Sequence, residues 1–345
     1  MSTRNGLRIG VIGVGVMGER HTRVYSALPG VAGVGVYDAD ALRARRVAAQ
    51  YSARAFVSVD ALIGWADAIS IVTPTQSHLE LALRCMQHGV HVLVEKPLAE
   101  TIAQGAAIVR GGQEYGCIVQ VGHIERFNPT VTQLRLIPQA KKPLAVTIRR
   151  MSPFDPRNTT IDVIFDLMIH DLDLALDLFG PDIVDMQAYG LNARTSEIDH
   201  AVANFTFRDG PLVTIVASRV TEQKVRHIEI VADGSYIEAD LLNKRISIHH
   251  HTTPLYTTTT EAVTYRQESL IEQIHVPAVE PLALELDHFL GCVRTNSCPL
   301  VSADDGLRAL TCATRVRELV QARAARPLAT VLPLAIASEV SQWAQ

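Results

Sequence analysis

Within the first 123 residues, the runs LRIGVIGVG, VAGVGVYD, DAISIVTP, GVHVLVEKP and CIVQVGH are apolar at consecutive positions rather than at alternate ones. A strand of that kind is buried on both faces, which is the state of a strand in a parallel sheet covered by helices on each side. The segments between the runs carry helical periodicity. One is punctuated at both ends: Ser77 precedes HLELALRCMQH with Glu80 three residues on, which predicts a capping box, and Gly89 follows the last turn. Strand alternating with helix predicts an open, doubly wound sheet.

After Phe127 the pattern changes. RFNP and IPQAKKP suit a crossover, and TTIDVIFDLMIHDLDLALDLFG predicts a long helix stopped at Gly180 and Pro181. From Ile183 to about Tyr265 the residues alternate, as in VANFTFRDG and HIEIVADGSYIEAD, and predict an antiparallel sheet. The TTTTEA stretch near Thr257 reads as a loop, and PLALELDHFLGCVR and ADDGLRALTCATRVRELVQARA return to helix. A chain of 345 residues exceeds what one hydrophobic core usually serves, so two units are expected, residues 1–122 and 123–345. The fold class is α/β.

Composition removes several partners. A net charge of −4 with both signs interspersed excludes nucleic acid and anionic membrane surfaces as expected partners. The opening MSTRNGLRIGVIGVG turns glycine-rich at once and reads as a first strand rather than a signal peptide, and no apolar run reaches the roughly 18 residues of a membrane span. A cytoplasmic protein is expected. Cys85, Cys117, Cys292, Cys298 and Cys312 form no C-x-x-C pair and read as reduced thiols, and His249, His250 and His251 read as a solvated strand end, so no metal is expected.

The chemistry concentrates at strand ends. Gly13, Gly15 and Gly18, with Val16 and Met17 between them, follow the first strand and open a helix. Such a turn brings backbone N–H groups and a helix N-terminus against a pyrophosphate. Asp38 closes the next strand, where a carboxylate accepts from ribose hydroxyls and repels a 2′-phosphate, so NAD is favoured over NADP. Thr73, Pro74, Thr75 and the triplet Glu95, Lys96, Pro97 stand at further carboxyl ends and face the same crevice, and His78 beside them either contacts cofactor or begins a helix. Lys96 is thereby delivered to the nicotinamide side, with Glu95 positioning it or the cofactor. In DLMIHDLD, Asp166 and His170 are four residues apart, one turn along a single helix face that Asp173 and Asp177 continue. Lys96 and an Asp–His pair make a proton-transfer group.

GVGVMG, Asp38, TPTQSH, EKP, RFNP and the D-x-x-x-H helix, in this order across the chain, resemble the Gfo/Idh/MocA oxidoreductases. The resemblance implies a Rossmann domain joined to an α/β domain whose open, mostly antiparallel sheet forms a homo-oligomer interface, dimer or tetramer, with the terminal helices packing back on the first domain. It implies hydride transfer between a nicotinamide cofactor and a sugar or inositol hydroxyl, with Lys96, Asp166 and His170 as the catalytic group. VGHIERFNP and DLMIHDLDL are similar to the UDP-N-acetylglucosamine 3-dehydrogenases within it, which implies a nucleotide-sugar substrate and a 3-keto product passed to a 3-aminotransferase. Met168 stands where many of the broader family have glycine. A diphosphate needs cations, and His123, Arg126 and Arg157 are the candidates near the expected pocket, with Arg150 a further candidate if the sugar is an acid. The rival readings are the same chemistry on the uronic acid, a free sugar or an inositol, and a silent NAD-binding module.

Overall fold

The computed structural model describes residues 6–138, 140, 142–156, 160–251, 255–258, 263–266 and 270–324. The first unit alternates β1 (Leu7–Ile12), α1 (Val16–Ala27), β2 (Val31–Tyr37), α2 (Ala41–Gln50), β3 (Arg54–Ala55), α3 (Val59–Ile63), β4 (Ala68–Ile71), α4 (His78–Gln87), β5 (His91–Glu95), α5 (Ile102–Glu114) and β6 (Val119–Gly122). The strands pair in parallel in the order β3-β2-β1-β4-β5-β6. Val92, Leu93 and Val94 are wholly buried at consecutive positions, as a doubly covered strand requires. The order turns back between β1 and β4, and the loops after those two strands flank the crevice where such sheets bind ligands. The two-residue β3 has no apolar run to announce it.

The predicted capping box at Ser77 is not formed. Ser77 lies in helical conformation at the end of a 3-10 turn over Thr75–Ser77, and its hydroxyl donates to Thr73 Oγ1 at 2.7 Å. The short TPT loop claims the hydroxyl before the helix can. A reciprocal box is present instead at Thr101 and Gln104, opening α5, while Gly89 ends the α4 region at φ +70°.

A short turn of 3-10 helix (Ile124–Phe127) and α6 (Pro129–Leu134) lead into the second sheet, whose strands are β7 (Pro143–Met151), β8 (Ile183–Leu191), β9 (His200–Phe207), β10 (Leu212–Ser218), β11 (Val225–Ala232), β12 (Ser235–Asp240), β13 (Arg245–His250) and β16 (Leu270–His275). Their order is β16-β13-β12-β11-β7-β10-β9-β8, antiparallel except where β10 lies parallel to β7. β14 (Leu255–Thr258) and β15 (Val263–Arg266) form a separate hairpin, so Thr257, read as loop, is in a strand; residues 259–262 lie outside the described set. The long helix after β7 is in two parts, a π turn over Ile164–Met168 and then α7 (Ile169–Phe179), ended by Gly180 at φ +88°. Ile169, Leu172 and Ala175 of α7 belong to the same buried core as Val146, Ile148, Ile228 and Ile230 of the second sheet.

Two last helices return to the first unit. In α8 (Pro281–Thr295), Leu282, Leu286, Phe289 and Leu290 join the core formed by Ile9, Val11 and Tyr25, and in α9 (Ala303–Ala324) Leu307 and Leu310 pack on Gly105 of α5. Cys85, Cys117, Cys292 and Cys312 are buried thiols, whereas Cys298 is exposed. No described helix is long and apolar enough to cross a membrane.

Candidate active site

The glycine turn is shaped for an anion. Gly13 adopts φ +86°, a conformation costly to other residues, and a Cβ at Gly18 would lie 1.8 Å from the Gly13 carbonyl oxygen. Gly15 has open space around it, and no side chain caps α1, so the amides of its first turn are free for a ligand. Val16 is 73% exposed beside them, with Met17 partly so. Asp38 accepts from the Val14 amide at 2.8 Å and the Asp40 amide at 2.8 Å, which ties the end of β2 to the turn, while Arg43 Nη1 lies 3.4 Å from both its oxygens. These residues fit a dinucleotide: phosphates on α1, a ribose at Asp38.

At the end of β5 the side chains diverge. Glu95 points inward, where Oε1 takes a hydrogen bond from His21 Nε2 at 3.2 Å and Oε2 one from the Lys96 amide at 3.2 Å. Burial opposes its ionisation, yet His21 and Lys96 together hold the carboxyl below the usual range. Gly122 on the next strand makes room, because a Cβ there would approach the Glu95 carboxylate to 3.0 Å. Glu95 therefore braces Lys96 from behind and does not itself line the crevice. His78 is buried, its ring nitrogens 3.0 Å from the Pro97 carbonyl and 2.9 Å from the Thr73 carbonyl, so it clasps the two loops together from within.

Lys96 points outward across the crevice. Its Nζ donates to the backbone carbonyl of Asp166 at 2.7 Å and lies 3.7 Å from Asp166 Oδ1, the two side chains being 20% and 24% exposed. A cleft of about 440 Å³ opens beside them, walled by Thr73, Pro74 and Thr75 on the first unit and Phe165 and Asp166 on the second. His170 follows, one ring nitrogen, Nδ1, buried without a partner, which leaves Nε2 as the accessible one. Burial first, then the charges of Lys96, Arg150 and Arg226, hold the imidazole well below its ordinary value, so it is a neutral base.

Some expectations meet a different geometry. Asp166 was expected beside His170 on one helix face, but no hydrogen bond joins Asp166 to His170. The π turn widens the helix at this point, and Asp166 engages Lys96. His123 is only 1% exposed and stands edge-on to His170, ring centroids 6.2 Å apart, so it backs the base rather than meeting substrate. Arg126 is 5% exposed and gripped by Asp173, Nε to Oδ2 at 2.7 Å and Nη2 to Oδ1 at 2.6 Å, with Asp177 at 3.0 Å from Nη1. Arg150 is held likewise by Asp171 and Glu125. Neither guanidinium is available to a phosphate. Arg157 lies outside the described residues.

The first 117 residues of this architecture, 7–123, match the family model described as an oxidoreductase family, NAD-binding Rossmann fold, and residues 144–238 match the GFO/IDH/MocA C-terminal domain. A UDP-N-acetylglucosamine 3-dehydrogenase from Acidithiobacillus ferrooxidans is 38% identical over 318 residues, covering 92% of this chain and 98% of its own. The chain belongs to the Gfo/Idh/MocA oxidoreductase family. It is a nicotinamide-dependent dehydrogenase of the class that acts on CH–OH groups, and its cofactor is NAD. A solved structure of the Acidithiobacillus enzyme superposes with a TM-score of 0.83 at 37% identity, over 92% of this chain and 98% of that one. The scyllo-inositol 2-dehydrogenase (NAD(+)) of Bacillus subtilis is 27% identical over 87% of this chain and 90% of its own. Levoglucosan dehydrogenase shares the fold alone, with a TM-score of 0.77 at 16% identity, over 92% of this chain and 98% of that one.

Three participants escaped sequence reasoning. His21, on the buried face of α1, has no flanking signal of its pairing with Glu95. Glu285 is fully buried on α8 with neither carboxylate oxygen partnered, and burial together with the charge of Glu95 pushes its carboxyl well up. A signal for it existed: it occupies the apolar stripe Leu282, Glu285, Leu286, Phe289, Leu290 at helical spacing. Arg226 sits in an alternating strand as one more charged residue, and only the sheet register shows what it faces.

Proposed function

We propose that the protein oxidises the C3 hydroxyl of UDP-N-acetylglucosamine to the 3-keto nucleotide sugar. The observation that carries the chemistry is Lys96 at the carboxyl end of β5 in contact with Asp166, with a neutral His170 within reach of the lysine's charge. The substrate follows from 38% identity to the Acidithiobacillus enzyme over nearly the whole of both chains. NAD, when bound, supplies the hydride acceptor at C4 of its nicotinamide. Lys96 Nζ, already a donor to one oxygen at 2.7 Å, donates to the substrate oxygen as it becomes a carbonyl. His170 takes the hydroxyl proton on Nε2, and its low basicity keeps it in the accepting form at neutral pH. Asp166 holds Lys96 across the crevice, and Glu95 fixes the lysine's backbone. The overall change is secondary alcohol plus NAD to ketone, NADH and one proton.

Residues 1–122 form the cofactor unit in this reading and 123–345 the substrate unit, with α8 returning to the first. The outward face of the second sheet, where Leu212 and Val231 are 53% and 45% exposed, joins copies of the chain. The reaction runs in the cytoplasm, where nucleotide sugars and NAD are pooled, and the ketone is the substrate a 3-aminotransferase needs.

The test is NADH formation from UDP-N-acetylglucosamine, its uronic acid, free N-acetylglucosamine and myo-inositol, with a carbonyl trap to draw the equilibrium. NADH from the first substrate alone is the expected result. A signal from inositol in its place would overturn the substrate and keep the catalytic group, and the 27% identity to an inositol dehydrogenase over 87% of the chain makes that the second reading.

A further inference from the structure

Four guanidinium groups lie around α7, and those of Arg126, Arg135 and Arg150 are neutralised by direct contact. Arg126 and Arg150 each hold a carboxylate in bidentate contact and are almost wholly buried. Arg226 has no carboxylate within ion-pair distance among the described residues; its hydrogen bonds run from Nη1 to the Met151 and Val225 carbonyls, at 2.6 and 2.7 Å. Neither Nε nor Nη2 is bonded among the described residues, and neither is among their sealed, unpartnered polar atoms.

The register says which way this arginine faces. Arg226 pairs with Arg150 across β11 and β7, two residues before the pair Ile228 and Ile148, which is buried in the core shared with α7. Side chains two apart share a face of the sheet. Arg226 thus stands under the start of α7, near enough for its charge to act on His170 and for Asp166 to act on it in turn. Burial and the neighbouring Arg150 push its own value down to about 10. A partly buried cation of this kind, short of a counter-ion and with two N–H directions free, is stabilised by an incoming oxyanion.

We propose that Arg226 is the residue that recognises the anionic group of the sugar substrate, taking a phosphate or carboxylate oxygen on Nε and Nη2 while the reacting hydroxyl faces His170. The inference rests on the sugar-dehydrogenase reading above and deepens it: substrate choice is made by an arginine of the second sheet, not by the arginines near the cofactor crevice. Phosphate attached at C1 and a carboxylate at C6 are the two sources of such an oxyanion.

The test compares wild type, Arg226→Gln and Arg226→Lys in the NAD-loaded protein. The substrates are UDP-N-acetylglucosamine, its uronic acid, N-acetylglucosamine 1-phosphate and neutral N-acetylglucosamine. In the Gln variant, kcat/KM for the anionic sugars relative to the neutral one falls about ten- to a hundredfold, the scale of a hydrogen bond to a charged group, and the Lys variant recovers part of it. A loss shared by UDP-N-acetylglucosamine and the sugar phosphate assigns the phosphate, and a loss confined to the uronic acid assigns the carboxylate. An unchanged ratio overturns the proposal whatever happens to the absolute rate. Should wild type turn over none of these sugars, the substrate reading fails by itself. Calorimetric titration with pyrophosphate and with glucuronate then judges Arg226: weaker binding of either in the Gln variant supports it, and equal binding of both overturns it.

Discussion

Asp166 and Asp173 come from the same stretch of chain and were expected on the same helix face, yet they have taken opposite roles. Asp173 is 1% exposed and grips Arg126 through two short, parallel hydrogen bonds. Asp166 is about a quarter exposed and stands 3.7 Å from the more flexible Lys96. The first pair is complete without a ligand, so it serves the fold. The second leaves a cation with donors to spare at the mouth of a cleft, as the proposed chemistry requires. Tight, dry and bidentate marks a support, whereas loose and half-wet marks a working group.

Removing one partner from each pair tests that contrast. Arg126→Ala strands the buried carboxylate of Asp173, and urea unfolding should show a loss of about 3–5 kcal/mol; a loss under about 1 kcal/mol would place Arg126 among ordinary surface pairs. Lys96→Met and His170→Asn should lower kcat about a hundredfold or more, equivalent to about 2.7 kcal/mol of barrier, with the unfolding midpoint nearly unmoved. Asp166→Asn should cost less than about 1 kcal/mol of stability, as a partly exposed ion pair does, while slowing turnover. If Asp166→Asn unfolds the protein instead, the two aspartates do the same work and the contrast fails.

The smallest effect concerns pH. His170 must be neutral to accept a proton, and its value is held well below 6.5, so kcat/KM for oxidation should stay level as pH falls through 6.5 and decline only below it. Removing a neighbouring cation weakens that depression, so in Arg226→Gln the acid limb should move up toward 6.5. A limb at the ordinary imidazole position in wild type would show that His170 is not the base.

Much of this was legible in the residues. Runs such as Val92 to Val94 disclose a covered parallel strand because burial on both faces leaves no polar position, and GVGVMG with Asp38 is a local device whose parts lie within one strand-turn-helix unit and its neighbour. Lys96 and His170 were legible for a similar reason: each stands at an interruption of an apolar pattern. The partners of charged groups were not. Nothing in the order of residues tells Arg126, claimed by Asp173 and Asp177, from Arg226, which has no carboxylate partner among the described residues, because that depends on which strands and helices come to lie side by side. Ser77 and Glu80 carry the letters of a capping box, and a hydroxyl four residues back outbid it.

The π turn at Ile164–Met168 carries one last implication. Each residue advances a helix by about 100°, so a single insertion or deletion between Asp162, whose carboxylate accepts from the amides of Ile164 and Phe165, and His170 would swing the imidazole by more than a quarter of a circle. The spelling of that segment can drift while its count cannot. Eight steps from anchor to base act as a ruler.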